Sequence, residues 1–191
     1  METFLISAGL VTIAEIGDKT QLLALMLAAR YRAPVPIILG IFVATIANHA
    51  AAAWIGGMAA GLLDPEILRW VLTISFLGMA IWALIPDKAD EAPGFTAKAG
   101  AFVATAVAFF LIEIGDKTQI ATVALGARFN DVLTVTAGTT AGMMIADVPA
   151  VFIGGMAADR LPLKWIRAAA AALFAALGMA AFMGAGRVLA V

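Results

Sequence analysis

Two short segments hold most of the residues with chemistry to offer. Glu15-Ile16-Gly17-Asp18-Lys19-Thr20-Gln21 recurs, residue for residue, as Glu113-Ile114-Gly115-Asp116-Lys117-Thr118-Gln119, an offset of 98 residues. Carboxylates are the oxygen donors that hard divalent cations prefer. On a helix, the i, i+3 spacing puts each Glu and its Asp on one face. Glu15, Asp18, Glu113 and Asp116 are therefore the predicted metal ligands, converging from two helices. Thr20, Gln21, Thr118 and Gln119 are expected in a secondary role, because on a continuous helix they point a quarter turn or more away. Lys19 and Lys117 each follow their own Glu by four residues, the spacing of an internal ion pair. Gly17 and Gly115 leave room for close helix approach, or for a local opening that frees carbonyls for an ion. Four carboxylates and two ammoniums leave a charge of −2, which one divalent cation or bound protons would neutralise. Metal and protons competing for the same oxygens is a physical route to exchange.

These segments lie in an apolar chain. Of its 191 residues 63% are hydrophobic and 13% charged, whereas a soluble domain has roughly half and a quarter. The chain reads as an all-α integral membrane protein. There is no basic block to suggest nucleic-acid binding, and the absence of cysteine excludes disulfides and thiolate metal sites. Met1-Glu2-Thr3-Phe4 lacks a basic leader, so the first apolar stretch reads as a retained span.

A crossing needs about 20 apolar residues. Six stretches qualify: Phe4 to Ala29, Pro36 to Gly61, Arg69 to Ile85, Gly100 to Ala127, Val132 to Ala158 and Leu163 to Leu189. Residues 1–85 form repeat one, 86–98 a solvated linker and 99–191 repeat two. At the same offset Gly40 pairs with Gly138, Arg69 with Arg167, and Gly56-Gly57-Met58-Ala59-Ala60 with Gly154-Gly155-Met156-Ala157-Ala158; the last pair reads as helix packing. Three spans per half is odd, so the second half must insert upside down. The result is six transmembrane helices as two inverted three-helix repeats, with any site near the midplane where the repeats meet. With both termini outside, Arg30, Arg32, Lys88, Lys98, Arg160, Lys164 and Arg167 face the cytoplasm, against Arg69, Arg128 and Arg187 outside. That bias sets the predicted orientation.

Each motif falls about halfway along its span, where ionisable residues are costly and point to function. His49 lies in the middle of the second span, and the offset places Asp147 at the matching point of the fifth; a one-residue shift would match Asn48 instead. His49 and Asp147 are expected as proton-pathway residues or accessory ligands. Trp54, Trp70, Trp82 and Trp165 read as interfacial anchors.

The paired Glu-x-Gly-Asp-Lys-Thr motifs, in the first and fourth of six spans, closely resemble the Gdt-one family of small membrane proteins. That family takes in bacterial MneA-type manganese exporters and the Golgi manganese/calcium transporter of eukaryotes. The resemblance covers essentially the whole chain, and both motifs match without a departure. It implies a divalent cation/proton antiporter in a bacterial inner membrane. Manganese or calcium would be exchanged for protons, with Glu15, Asp18, Glu113 and Asp116 in the ion site and no cofactor. The competing readings are a small-solute exporter of six-helix design and a cation channel. An anionic or zwitterionic solute would be repelled by four acids, and channel filters are usually rings of identical chains. An enzyme is disfavoured, since His-Glu-x-x-His, Gly-x-Ser-x-Gly and a cysteine nucleophile are all missing.

Overall fold

A computed structural model describes residues 1–85, 100–153 and 163–184. The described residues are helical throughout, connected by short turns: α1 (Glu2–Glu15), α2 (Lys19–Tyr31), α3 (Pro34–Leu62), α4 (Pro65–Ala83), α5 (Ala101–Glu113), α6 (Lys117–Phe129), α7 (Val132–Ile153) and α8 (Leu163–Phe182). The linker 86–98, the Gly-Gly-Met-Ala-Ala segment from Gly154 and the end of the predicted sixth span lie outside the described residues.

The expected first and fourth spans are not continuous helices. Each is broken in two inside its motif. α1 stops at Glu15, Ile16 is extended, Gly17 takes φ +82°, and Asp18 caps α2 in an extended conformation. The second break repeats this with Ile114, Gly115 at φ +79° and Asp116. A positive φ costs glycine little and other residues much more, so the chain breaks where its motif glycine stands. Each turn is closed by the Asp amide donating to the Glu carbonyl, at 2.9 Å in the first break and 3.0 Å in the second. Of the two roles expected for Gly17 and Gly115, the structure shows the local opening; hydropathy alone does not reveal it, because apolar residues continue on both sides of each break.

The remaining helices match the expected spans more closely. Pro34 and Pro36 open α3, which runs for 29 residues. At 1.5 Å per residue it is about 43 Å long, more than the roughly 30 Å hydrocarbon core. The Asp64 carboxylate caps α4 by accepting from the Glu66 amide at 2.8 Å. α3, α4 and α7 (over Val132–Phe152) are long and apolar enough to cross a membrane. The surface is apolar where the interior is polar: Phe42, Ile46, Ile67 and Ile74 are exposed, while Glu15, Asp18, His49, Glu113, Asp116 and Asp147 are buried. That arrangement suits lipid as the surrounding solvent.

α3 packs along both α5 and α6, and α7 along both α1 and α2. α1 also meets α6, and α2 meets α5. Two broken rods can make that pair of contacts when they lie antiparallel with their breaks at one level. α3 meets α7, and α4 meets α8, where the Trp70 and Phe182 rings meet edge to face at 5.6 Å. Equivalent glycines make equivalent contacts. A Cβ on Gly40 would lie 2.8 Å from Thr105 Cβ and 2.9 Å from the Phe102 carbonyl; one on Gly138 would lie 2.8 Å from Ser7 Cβ and 2.7 Å from the Phe4 carbonyl. Phe102 and Thr105 stand 98 residues beyond Phe4 and Ser7. The offset therefore holds without a shift, and His49 rather than Asn48 corresponds to Asp147.

The α3–α6 contact is closer still, since a Cβ on Gly126 would collide with the Ala53 carbonyl. Gly126→Ala is expected to lower stability by about 1–3 kcal/mol, the usual cost of overpacking, read as the denaturation midpoint in detergent micelles. Gly78→Ala, with open space around it, should leave the midpoint unchanged or slightly raised, because alanine favours helix. Equal midpoints for Gly126→Ala and wild type would contradict this backbone approach.

Candidate cation site

The two breaks decide where the acids point. Glu15 and Glu113 close α1 and α5, at the partly negative ends of those helices; Asp18 and Asp116 open α2 and α6, at the partly positive ends. Neither Asp uses its side chain to cap its own helix. Both reach across to the other half. Lys117 Nζ lies 3.4 Å from Asp18 Oδ1, and Lys19 Nζ lies 3.1 Å from Asp116 Oδ1. The expected pairing of each lysine with the Glu four residues earlier is thus replaced by crossed Lys–Asp pairs. The reason is the break, which destroys the helical i, i+4 relation within each motif. The same break removes the shared helical face assumed for each Glu and Asp.

Glu15, Asp18 and Asp116 are buried, and each offers one carboxylate oxygen within 4.8 Å of the other two. Oxygens bound to one ion at about 2.0–2.6 Å are separated by at most about 4–5 Å, so this spacing suits a single divalent cation. Glu15 Oε1 has no hydrogen-bond partner among the described residues, leaving it available as a ligand. Glu113 does not join the three. Its Oε1 accepts from Thr45 Oγ1 at 3.1 Å and its Oε2 from Asn48 Nδ2 at 2.9 Å, both on α3.

The neutral motif residues also differ from expectation. Thr20 Oγ1 donates directly to Glu15 Oε2, although a continuous helix would have pointed it elsewhere. Thr118 Oγ1 donates to Asp116 Oδ2 at 3.3 Å. Gln21 and Gln119 brace the breaks: Gln21 Oε1 accepts from the Gly17 amide at 2.9 Å, and Gln119 Oε1 from the Gly115 amide at 2.7 Å. Gln21 Nε2 in addition donates to the Ala146 carbonyl of α7 at 3.0 Å. Each motif thus encodes its acids, its break and the brace for that break.

His49 and Asp147 are fully buried outside the three-carboxylate cluster, and the polar side-chain atoms of both lack hydrogen-bond partners among the described residues. Asp147 lies within the electrostatic reach of Glu15, Asp18 and Glu113. Thr45 and Asn48 are the site residues that motif reading missed. Their signal was two polar side chains three residues apart on one face of an otherwise apolar helix. A narrow cleft beside Gly17, lined by Ile16, Asp18, Lys117, Arg167 and Phe174, has a volume of about 10 Å³, close to the minimum for one water.

The family profile described as "Divalent cation/proton antiporter GDT1" matches residues 3–91 and 101–188. A Vibrio cholerae serotype O1 protein described as "Putative manganese exporter" is 55% identical over 181 residues, covering 94% of this chain and 90% of that protein. A GDT1-like protein of Synechocystis is 29% identical over 198 residues, covering 86% and 89%. No solved structure matches. With three carboxylates gathered from two repeated motifs, and with the profile spanning both halves, the chain belongs to the GDT1 family of divalent cation/proton antiporters.

Proposed function

We propose that this protein exports manganese from the cytoplasm in exchange for protons, with calcium as the second cation to test. The observation that carries the reading is the meeting of Glu15, Asp18 and Asp116, acids from both halves, at coordination spacing inside an apolar body. The name of the Vibrio cholerae relative supports manganese as the cargo. In this reading α1–α2 and α5–α6 each make one broken crossing, and α3, α4, α7 and α8 complete six. The halves 1–85 and 99–191 are inverted repeats joined by the linker 86–98. The membrane is the bacterial inner membrane, with both termini outside.

The chemistry then follows from the site. Glu15, Asp18 and Asp116 bind the cation, and Glu113, outside that cluster in this structure, is the fourth motif acid. Lys19 and Lys117 pair with Asp116 and Asp18 across the halves and limit the negative charge of the site. Thr20 and Thr118 orient Glu15 and Asp116. Asp147, a buried carboxylate on α7, and His49, buried on α3, are assigned to proton movement. Breaks in two antiparallel crossings put non-helical backbone at the site, as in the discontinuous helices of secondary transporters.

Proteoliposomes with an imposed pH gradient test this directly. Mn²⁺ should move against the proton flux, and collapsing the gradient should stop net movement. Flux of Mn²⁺ indifferent to the gradient would favour a channel, and no flux of any divalent ion would remove the reading. Glu15→Gln, Asp18→Asn and Asp116→Asn should each cut transport by roughly 100-fold or more, since replacing even an outer partner of a metal ligand costs about 10–100-fold. Wild-type rates in all three would refute the ligand assignment.

Competition between metal and protons also fixes the sign of the pH dependence. Metal binding displaces protons from the carboxyl groups it occupies, so affinity should rise with pH. Titration calorimetry in buffers of different ionisation enthalpy counts the protons released. Release of one to two protons per Mn²⁺, roughly the number needed to balance its charge, is expected. Binding without release would contradict a shared site.

A further inference from the structure

Glu15 and Glu113 occupy equivalent motif positions but are held differently. Glu15 lies in the cation cluster with one oxygen unbonded. Glu113 lies outside it with both oxygens bound, by Thr45 at 3.1 Å and Asn48 at 2.9 Å, all of them buried. The sequence contains the same asymmetry. At the repeat offset Thr45 corresponds to Met143 and Asn48 to Ala146, and neither of those side chains can donate a hydrogen bond. The equivalent of Asn48 offers only a backbone carbonyl, which accepts from Gln21. An arrangement that grips one motif glutamate has thus been built in one half only.

Asn48 is itself held in place. Its Nδ2 also donates to the Phe110 carbonyl at 3.1 Å, three residues before Glu113 on α5. The Phe110 carbonyl can only accept, so the amide nitrogen must face it whatever the state of the site. The donor is fixed to the backbone of α5, while the Glu113 carboxylate is held by the two side-chain hydrogen bonds from α3.

We propose that Thr45 and Asn48 form a latch that withholds Glu113 from the cation cluster and yields it to a bound cation as the fourth carboxylate. This rests on the cation-site reading above and adds two positioning residues to it. The electrostatics give the direction. Within the two motifs, three carboxylates with two lysines are one charge short of neutralising a divalent cation, and Glu113 is the motif acid that supplies the balance; Asp147, the other buried acid, lies on α7 outside the motifs. Thr45 and Asn48 are neutral, so they hold Glu113 only by hydrogen bonds and lose it to a nearby unbalanced positive charge. The same two donors compete with the cation for Glu113; recapture returns the cluster to three acids, which weakens the site and favours release.

The test is Mn²⁺ affinity by titration calorimetry on the full chain in detergent, alongside turnover in proteoliposomes. Thr45→Val keeps shape and removes one donor; Asn48→Leu removes the other. Each should tighten Mn²⁺ binding, by up to about tenfold for the pair, the order expected for removing hydrogen bonds that compete with the bound state. Turnover should fall as release slows. Thr45→Ser should behave as wild type. In a Glu113→Gln background the tightening should vanish. A merely structural role predicts weaker binding, so the sign decides. Thr45→Val, the shape-preserving variant, suffices if Asn48→Leu does not fold. Unchanged or weaker binding in Thr45→Val with intact wild-type binding overturns the latch alone, as does tightening that persists in Glu113→Gln. Wild-type protein that takes up no Mn²⁺ overturns the cation site and the latch with it.

Discussion

An α-helix cannot pass through a residue at φ near +80°, and this chain places such a residue between each Glu and Asp of its repeated motif. The rest of the site depends on that constraint. A helix end leaves backbone groups unpaired, and within an apolar protein those groups must be answered. Gln21 and Gln119 answer the glycine amides, and the Asp amides turn back to the Glu carbonyls. With the backbone settled, the side chains are free for other work. Glu ends one helix and Asp begins the next, so acids that would have lined a single face instead meet those of the opposite motif.

The crossed Lys–Asp pairs follow from the same geometry and bind the halves together at their most polar point. Buried charges are tolerated only when paired or hydrogen-bonded. Taking one partner from such a pair leaves a costly orphan charge, commonly about 3–5 kcal/mol. Burying five acids, Glu15, Asp18, Glu113, Asp116 and Asp147, among two lysines is a poor way to gain stability, since small residues such as Gly40, Gly126 and Gly138 already bring the helices together. The arrangement makes sense if its partly uncompensated negative charge is there to receive a cation. Function and stability pull in opposite directions here, and the buried apolar packing around Phe76, Phe109 and Phe174 holds the polar core in place.

Much of this was legible in the residues. The repeat, the offset, the helical class and the long spans now seen as α3, α4 and α7 follow from hydropathy and from matching one half against the other. The family follows from the doubled motif. What was not legible was the effect of Gly17 and Gly115 on direction. Periodicity treats a span as one rod, so it placed Lys19 over Glu15 and turned Thr20 away. A single left-handed residue reversed both, giving Lys19 to Asp116 and Thr20 to Glu15. The partners of Glu113 were hidden for a different reason. Thr45 and Asn48 lie on another helix, 68 and 65 residues away along the chain, and only tertiary packing brings them to it.

The central claim is that one cation is held jointly by acids from both motifs at the meeting of the two breaks. Anomalous scattering at the manganese edge, from crystals of the full chain grown with Mn²⁺, measures this most directly. The account predicts a single strong peak within coordination distance, roughly 2.0–2.6 Å, of carboxylate oxygens of Glu15, Asp18 and Asp116. A peak bound to the acids of one motif only, or one elsewhere in the bundle with these three carboxylates unoccupied, would contradict it.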